Sequence, residues 1–94
     1  MFGLRFIRIN GHSMSPRLPA GGYAVFYASR HLRRGDIVLV AHPKYGKIVK
    51  AIAGFDGPNI SLNGLSDESL SPGELGQITR DKVLGRLVFD LKPN

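Results

Sequence analysis

The sequence predicts an all-β fold, a small coiled antiparallel sheet or pseudo-barrel with at most a short helical turn. Three observations carry this. Apolar residues come in short runs broken by Gly, Pro, Asn and Asp, not at helical spacing. Twelve glycines and six prolines in 94 residues supply frequent turns. No stretch forms an amphipathic helix of useful length. At this length one domain, residues 1–94, is expected.

The elements follow in order. Leu4 to Asn10 alternates imperfectly, with Arg5 and Arg8 interrupting it, and reads as an edge or bulged strand. Ser15-Pro16 can start a single helical turn, with Ser15 as N-cap and Pro16 in the first helical position. Tyr23 to Ala28 is a second strand. Gly35 to Ala41 is a third, and its unbroken apolar run predicts burial on both faces. His42-Pro43-Lys44-Tyr45-Gly46 is a hairpin connection into a strand from Lys47 to Ala53. Asn59 to Leu62 is a short strand closed by the turn pair Asn63-Gly64. Ser66 to Gln77 is rich in Ser, Asp, Glu, Pro and Gly and reads as a long surface loop. Lys82 to Leu91 is the last strand.

Composition narrows the function classes. Apolar residues make up 43% and charged residues 21%, which suits a folded chain. There is no cysteine, so neither a disulfide framework nor a thiolate metal site can form. His12, His31 and His42 show no metal-ligand spacing and no carboxylate pattern completes a set, so neither a metal nor another cofactor is expected. The longest apolar run, Ile37 to Ala41, is too short to span a bilayer. The opening segment carries two arginines and is not a signal peptide. A cytoplasmic location is expected if Met1 is the native start, and a membrane-associated one if an N-terminal anchor has been removed. The formal charge of +6 is spread along the chain, with one dense cluster, Arg30-His31-Leu32-Arg33-Arg34. A solvated loop is the first reading of that cluster, lipid head-group contact the second, and nucleic acid a distant third. Phe2, Leu4, Phe6 and Ile7 are expected to leave an apolar patch that seats the protein on a membrane or grips an extended substrate.

The chemistry lies in Gly11-His12-Ser13-Met14-Ser15-Pro16 and in Lys50. Gly11 lets the backbone approach a ligand, and Pro16 fixes the chain beyond the Ser13 hydroxyl. Such a turn can aim its N–H groups at an oxyanion. Alternation places Lys50 on one strand face with Ile48 and Ile52, where desolvation lowers its pKa and fits it as a general base. The pair reads as a Ser–Lys nucleophile and base. Taken alone, a serine in this setting is a turn former and a lysine in a strand snorkels. His12, adjacent to Ser13, points away from it and lends its backbone N–H to the oxyanion hole or lines the groove. Met14 lines the substrate site or fills the core. Asp36 is read as a turn residue opening a buried strand.

These residues carry a family resemblance. Gly11-His12-Ser13-Met14-Ser15-Pro16-Arg17-Leu18 resembles the G-x-S-M-x-P-T-L serine box of type I signal peptidases. Arg33-Arg34-Gly35-Asp36-Ile37-Val38 resembles the R-x-G-D-I-V box, and Ile48-Val49-Lys50-Ala51-Ile52-Ala53-Gly54 the lysine box. Asp81-Lys82-Val83-Leu84-Gly85-Arg86-Leu87 resembles the closing V-x-G-R strand. The group is that of the signal peptidase and LexA-repressor-like serine–lysine peptidases (S24/S26 type). The short interval from Ser13 to Lys50 is similar to that of its compact members, such as the maturation proteases for nickel-type superoxide dismutase. The resemblance implies Ser13 as nucleophile, Lys50 as base, His12 and Ser13 N–H groups at the oxyanion, Ser69 orienting the lysine, and Gly11, Met14 and Pro16 along the groove. It also implies small side chains before the cut. Arg17 replaces the usual threonine, Gly22 an aspartate, and Ala51 an arginine. Gly54-Phe55-Asp56-Gly57-Pro58 stands for a G-x-P-G-D loop, and Ser69-Leu70-Ser71-Pro72 for S-x-D-S-R without its Asp–Arg pair.

The function expected is endopeptidase cleavage of a precursor or signal-type segment bound in extended form. The rival is a non-catalytic module of the same fold that holds an extended peptide or an anionic surface.

Overall fold

The computed structural model describes residues 3–11, 14–15, 17–64 and 72–93. Its strands are β1 (Leu4–Arg8), β2 (Tyr23–Tyr27), β3 (Ile37–His42), β4 (Gly46–Asp56), β5 (Asn59–Asn63), β6 (Gln77–Thr79) and β7 (Val83–Leu91). A short helix, α1 (Pro72–Leu75), and a 3₁₀ turn (Arg80–Lys82) complete the described elements. All strand pairs are antiparallel, in the order β1-β2-β7-β3-β4-β5-β6. The all-β expectation holds, and the sheet stays open, with β1 and β6 as its edges.

Strand β3 sits at the centre because its run is apolar on both sides. Ile37 and Leu39 join one core with Ile9, Met14, Leu18, Ala24, Phe26 and Ala51. Val38 and Val40 join a second with Ile52, Ile60, Leu62, Leu75 and Ile78. One strand thus feeds both layers, as a strand with no polar face must. In β4, Val49 and Ala51 turn to the first core while Ile48 and Ile52 turn to the second, which is the period of two expected of a strand.

The last strand returns between β2 and β3 and ties the first hairpin to the rest. A Cβ on Gly85 would lie 2.9 Å from the Phe26 Cβ, so only glycine lets β7 approach β2 this closely. Asp36 is a turn residue, as expected. Its Oδ2 accepts the Arg33 N–H at 2.8 Å, and its own N–H donates to the Arg33 carbonyl at 3.0 Å. In the Arg30–Arg34 cluster the four charged or imidazole side chains are exposed and Leu32 is half-buried.

Four expectations change. Gly54, Phe55 and Asp56 belong to β4, not to a glycine-rich loop, and the turn is Gly57-Pro58. Gly57 has φ of 59° and Pro58 a fixed negative φ, the sign pattern of a two-residue hairpin with glycine first. Asn63 ends β5 as a strand residue paired with Ala51, not as part of a closing turn. The end of the supposed surface loop is structured: Leu75 of α1 is 2% exposed and Gln77 opens β6. The apolar patch is also differently built. Ile7 turns inward to the first core and Leu4 is half-buried, while Phe2 lies outside the described residues. The exposed side chains Phe6, Tyr23, Tyr27, Phe89 and Leu91 instead spread across β1, β2 and β7. The register aligns Phe6 with Val25 and Phe89, and Tyr23 with Leu91.

No helix among the described residues is long and apolar enough to cross a membrane. No group of three metal-binding side chains occurs among them either.

Candidate active site

Lys50 lies in β4 opposite Val38 of β3 and between Ile48 and Ile52 on its own face. The residue is only 4% exposed. Burial pushes its pKa below the ordinary lysine value, because a desolvated ammonium loses hydration that the neutral amine does not need. Among the described residues it is one of two buried polar side chains, the other being His42.

A cavity of about 360 Å³ opens at Lys50 between β1 and β4. Ile7 and Ile9 form one wall, Ile48 and Val49 the other, and Leu39 and Met14 also line it. Gly11 and Met14, the described residues on either side of the His12-Ser13 pair, both line this cavity. Met14 is 2% exposed and packs with Ile9, Leu18 and Leu39, so it is at once core and cavity lining. Gly11 has φ of 79° and is exposed. The Leu18 N–H donates to the Met14 carbonyl at 2.8 Å, closing one helical-type turn where Ser15 was expected to start it. His12, Ser13, Pro16 and Ser69 lie outside the described residues.

Among the described residues, both cavity walls have a free backbone edge: β1 pairs only with β2, and the Gly46–Lys50 half of β4 pairs only with β3, since the partners in β5 begin at Ala51. Two unpaired edges flanking a groove can both bond the backbone of an extended peptide.

Two departures from the family pattern have local causes. Arg17 donates to Asp90 at 3.1 Å, tying the turn after the serine box to β7. A Cβ at Gly22 would stand 2.7 Å from the Leu91 carbonyl oxygen, so no aspartate fits there.

His42 escaped the sequence reading, which took it for part of a hairpin connection. Its Nδ1 accepts the Lys44 N–H at 3.1 Å and the Tyr45 N–H at 3.3 Å, which assigns the proton to Nε2. Nε2–H donates to the Leu75 carbonyl at 2.7 Å. The imidazole thereby pins α1 to the β3–β4 turn, whose Tyr45 stacks at 5.0 Å on His42 and lines the Lys50 cavity. An apolar strand ending in histidine before Pro-Lys-Tyr-Gly was the available signal, but the partner lies 33 residues away.

No curated protein matches the chain. The profile of the signal peptidase family, peptidase S26, matches residues 1–71, which takes in the serine box, the R-x-G-D segment and the lysine strand. With that match spanning most of its length, the chain belongs to the signal peptidase family, peptidase S26.

Proposed function

We propose that the protein is a serine endopeptidase whose nucleophile is Ser13 and whose general base is Lys50. The observation that carries this reading is a buried lysine of lowered pKa on the wall of a cavity that Gly11 and Met14 also line. An extended segment of a protein substrate lies between the free edges of β1 and β4. The neutral Lys50 amine takes the proton of the Ser13 hydroxyl as Oγ attacks the scissile carbonyl. Backbone N–H groups of His12 and Ser13 hold the oxyanion. The Lys50 ammonium then protonates the departing amine as the C–N bond breaks, leaving an acyl-serine. Water attacks the ester carbonyl, Lys50 accepts its proton, and the proton returns to Oγ as the acid product leaves. Ser69 orients the Lys50 amine, and Pro16 borders the groove. No metal takes part.

The substrate is a precursor or signal-type segment with a small side chain before the cut. The short interval from Ser13 to Lys50 favours a maturation-type protease, such as those that trim nickel-type superoxide dismutase. Incubating Ser13→Ala beside the parent with an alanine-containing peptide pool, read by mass spectrometry, tests the assignment. Cleavage by the parent alone is expected. Cleavage by a folded Ser13→Ala protein removes the nucleophile, and no cleavage by either favours the non-catalytic module.

A further inference from the structure

Among the described residues, the cavity wall carries charge of one sign: Lys47 of β4 and Arg8 at the end of β1 line the same cavity as Lys50, one on each wall, and no described Asp or Glu does. Lys47 shares the β4 face of Val49, two residues along, so its stem runs beside the apolar lining. Both side chains are exposed. Arg17 is engaged by Asp90, whereas no acidic partner among the described residues bridges Arg8 or Lys47.

We infer that the Lys50 cavity selects an acidic substrate: an extended peptide whose small or apolar residue enters between Ile7, Ile9 and Val49 while Asp or Glu side chains flanking it meet Arg8 and Lys47. This rests on the peptidase reading and adds the charge class of its substrate. Chemically, the apolar lining accepts a side chain without polar demands, and the two rim cations reward carboxylates a residue or two away. A basic flank meets like charge on both walls and is disfavoured. Solvent exposure keeps each pair modest, so the preference builds from two contacts and weakens with salt.

The test uses full-length Ser13→Ala protein and three fluorescein-labelled, end-capped peptides. They share one central alanine segment, flanked by glutamate, glutamine or lysine, and fluorescence anisotropy reads their Kd. Glutamate flanks are expected to bind about threefold tighter than glutamine for each carboxylate, as exposed pairs allow, and lysine flanks more weakly than glutamine. Raising salt compresses the series. Lys47→Glu and Arg8→Glu, each made in the Ser13→Ala protein, are expected to invert the order, while Lys92→Glu, away from the cavity, leaves it unchanged. Equal binding of all three peptides, or inversion by Lys92→Glu as well, overturns the charge selection and leaves the peptidase reading standing. Failure to bind any peptide, with no cleavage by the parent, overturns both.

Discussion

Replacing Lys50 by methionine keeps an unbranched chain in the β4 position and removes the buried ammonium, and its effect on stability has a definite pH dependence. Lys50 is 4% exposed and burial lowers its pKa in the fold. Below that folded-state pKa the amine is charged in both folded and unfolded chains, and folding bears the full cost of burying the charge. Above about 10.4, the ordinary lysine value, it is neutral in both and the cost is gone. Between the two the unfolded chain binds more protons, so the parent gains stability as pH rises. Each tenfold weakening of proton affinity corresponds to about 1.4 kcal/mol. At roughly 4–8 °C per kcal/mol for a domain of this size, Lys50→Met melts about 6–11 °C above the parent per tenfold weakening, at pH below the folded-state pKa. That gap closes toward the ordinary lysine value. Thermal melts of both proteins from pH 6 to pH 10.5, read as the difference between them, measure it, since other titrations cancel. A difference that stays constant across this range would refute the argument that the Lys50 ammonium is buried at a cost.

Further outcomes follow from single contacts. His42→Ala is expected to lose about 1–3 kcal/mol of stability in denaturant melts, because the Leu75 carbonyl and the Lys44 and Tyr45 N–H groups lose their buried partner; an unchanged midpoint would show that water replaces the ring at no cost. Gly85→Ala forces a methyl to 2.9 Å from the Phe26 Cβ and is expected to cost about 1–3 kcal/mol, against near-neutral behaviour for the control Lys44→Ala at an exposed position. The exposed face with Phe6, Tyr23, Phe89 and Leu91, on a chain of charge +6, is expected to sediment with anionic vesicles at low salt. A Phe6→Ser, Phe89→Ser variant should sediment less, and equal sedimentation would assign the binding to charge alone.

What the sequence made legible was what neighbours along the chain decide. The segment Tyr23 to Ala28 read as a strand and the unbroken apolar run from Ile37 as a strand buried on both faces, and β2 and β3 stand there, with Ile37 to Val40 buried. The spacing of Ile48, Lys50 and Ile52 predicted a buried lysine for the same reason. Where contacts come from afar, the reading failed. The three residues of β6 contain a single apolar side chain, Ile78, and hold their place by pairing with β5. Leu75 looked like part of a polar loop because only the second core explains its burial. His42 was invisible as a structural post because its acceptor belongs to α1, and Arg17 as an ion-pair partner because Asp90 lies 73 residues on. The same limit applied to the apolar face, whose members come from β1, β2 and β7 and meet only through the sheet register.

In the proposed mechanism a neutral Lys50 amine activates Ser13, and a pH–rate profile on a cleavable peptide, run for the parent and for Lys50→Arg, decides whether it does. Burial lowers the Lys50 pKa, so parent kcat/KM should rise with pH as the amine loses its proton and level off below the ordinary lysine range. Lys50→Arg should be inactive throughout, because a guanidinium stays protonated and cannot accept from Oγ. Normal cleavage by a folded Lys50→Arg protein would contradict the mechanism and leave Ser13 in need of another base.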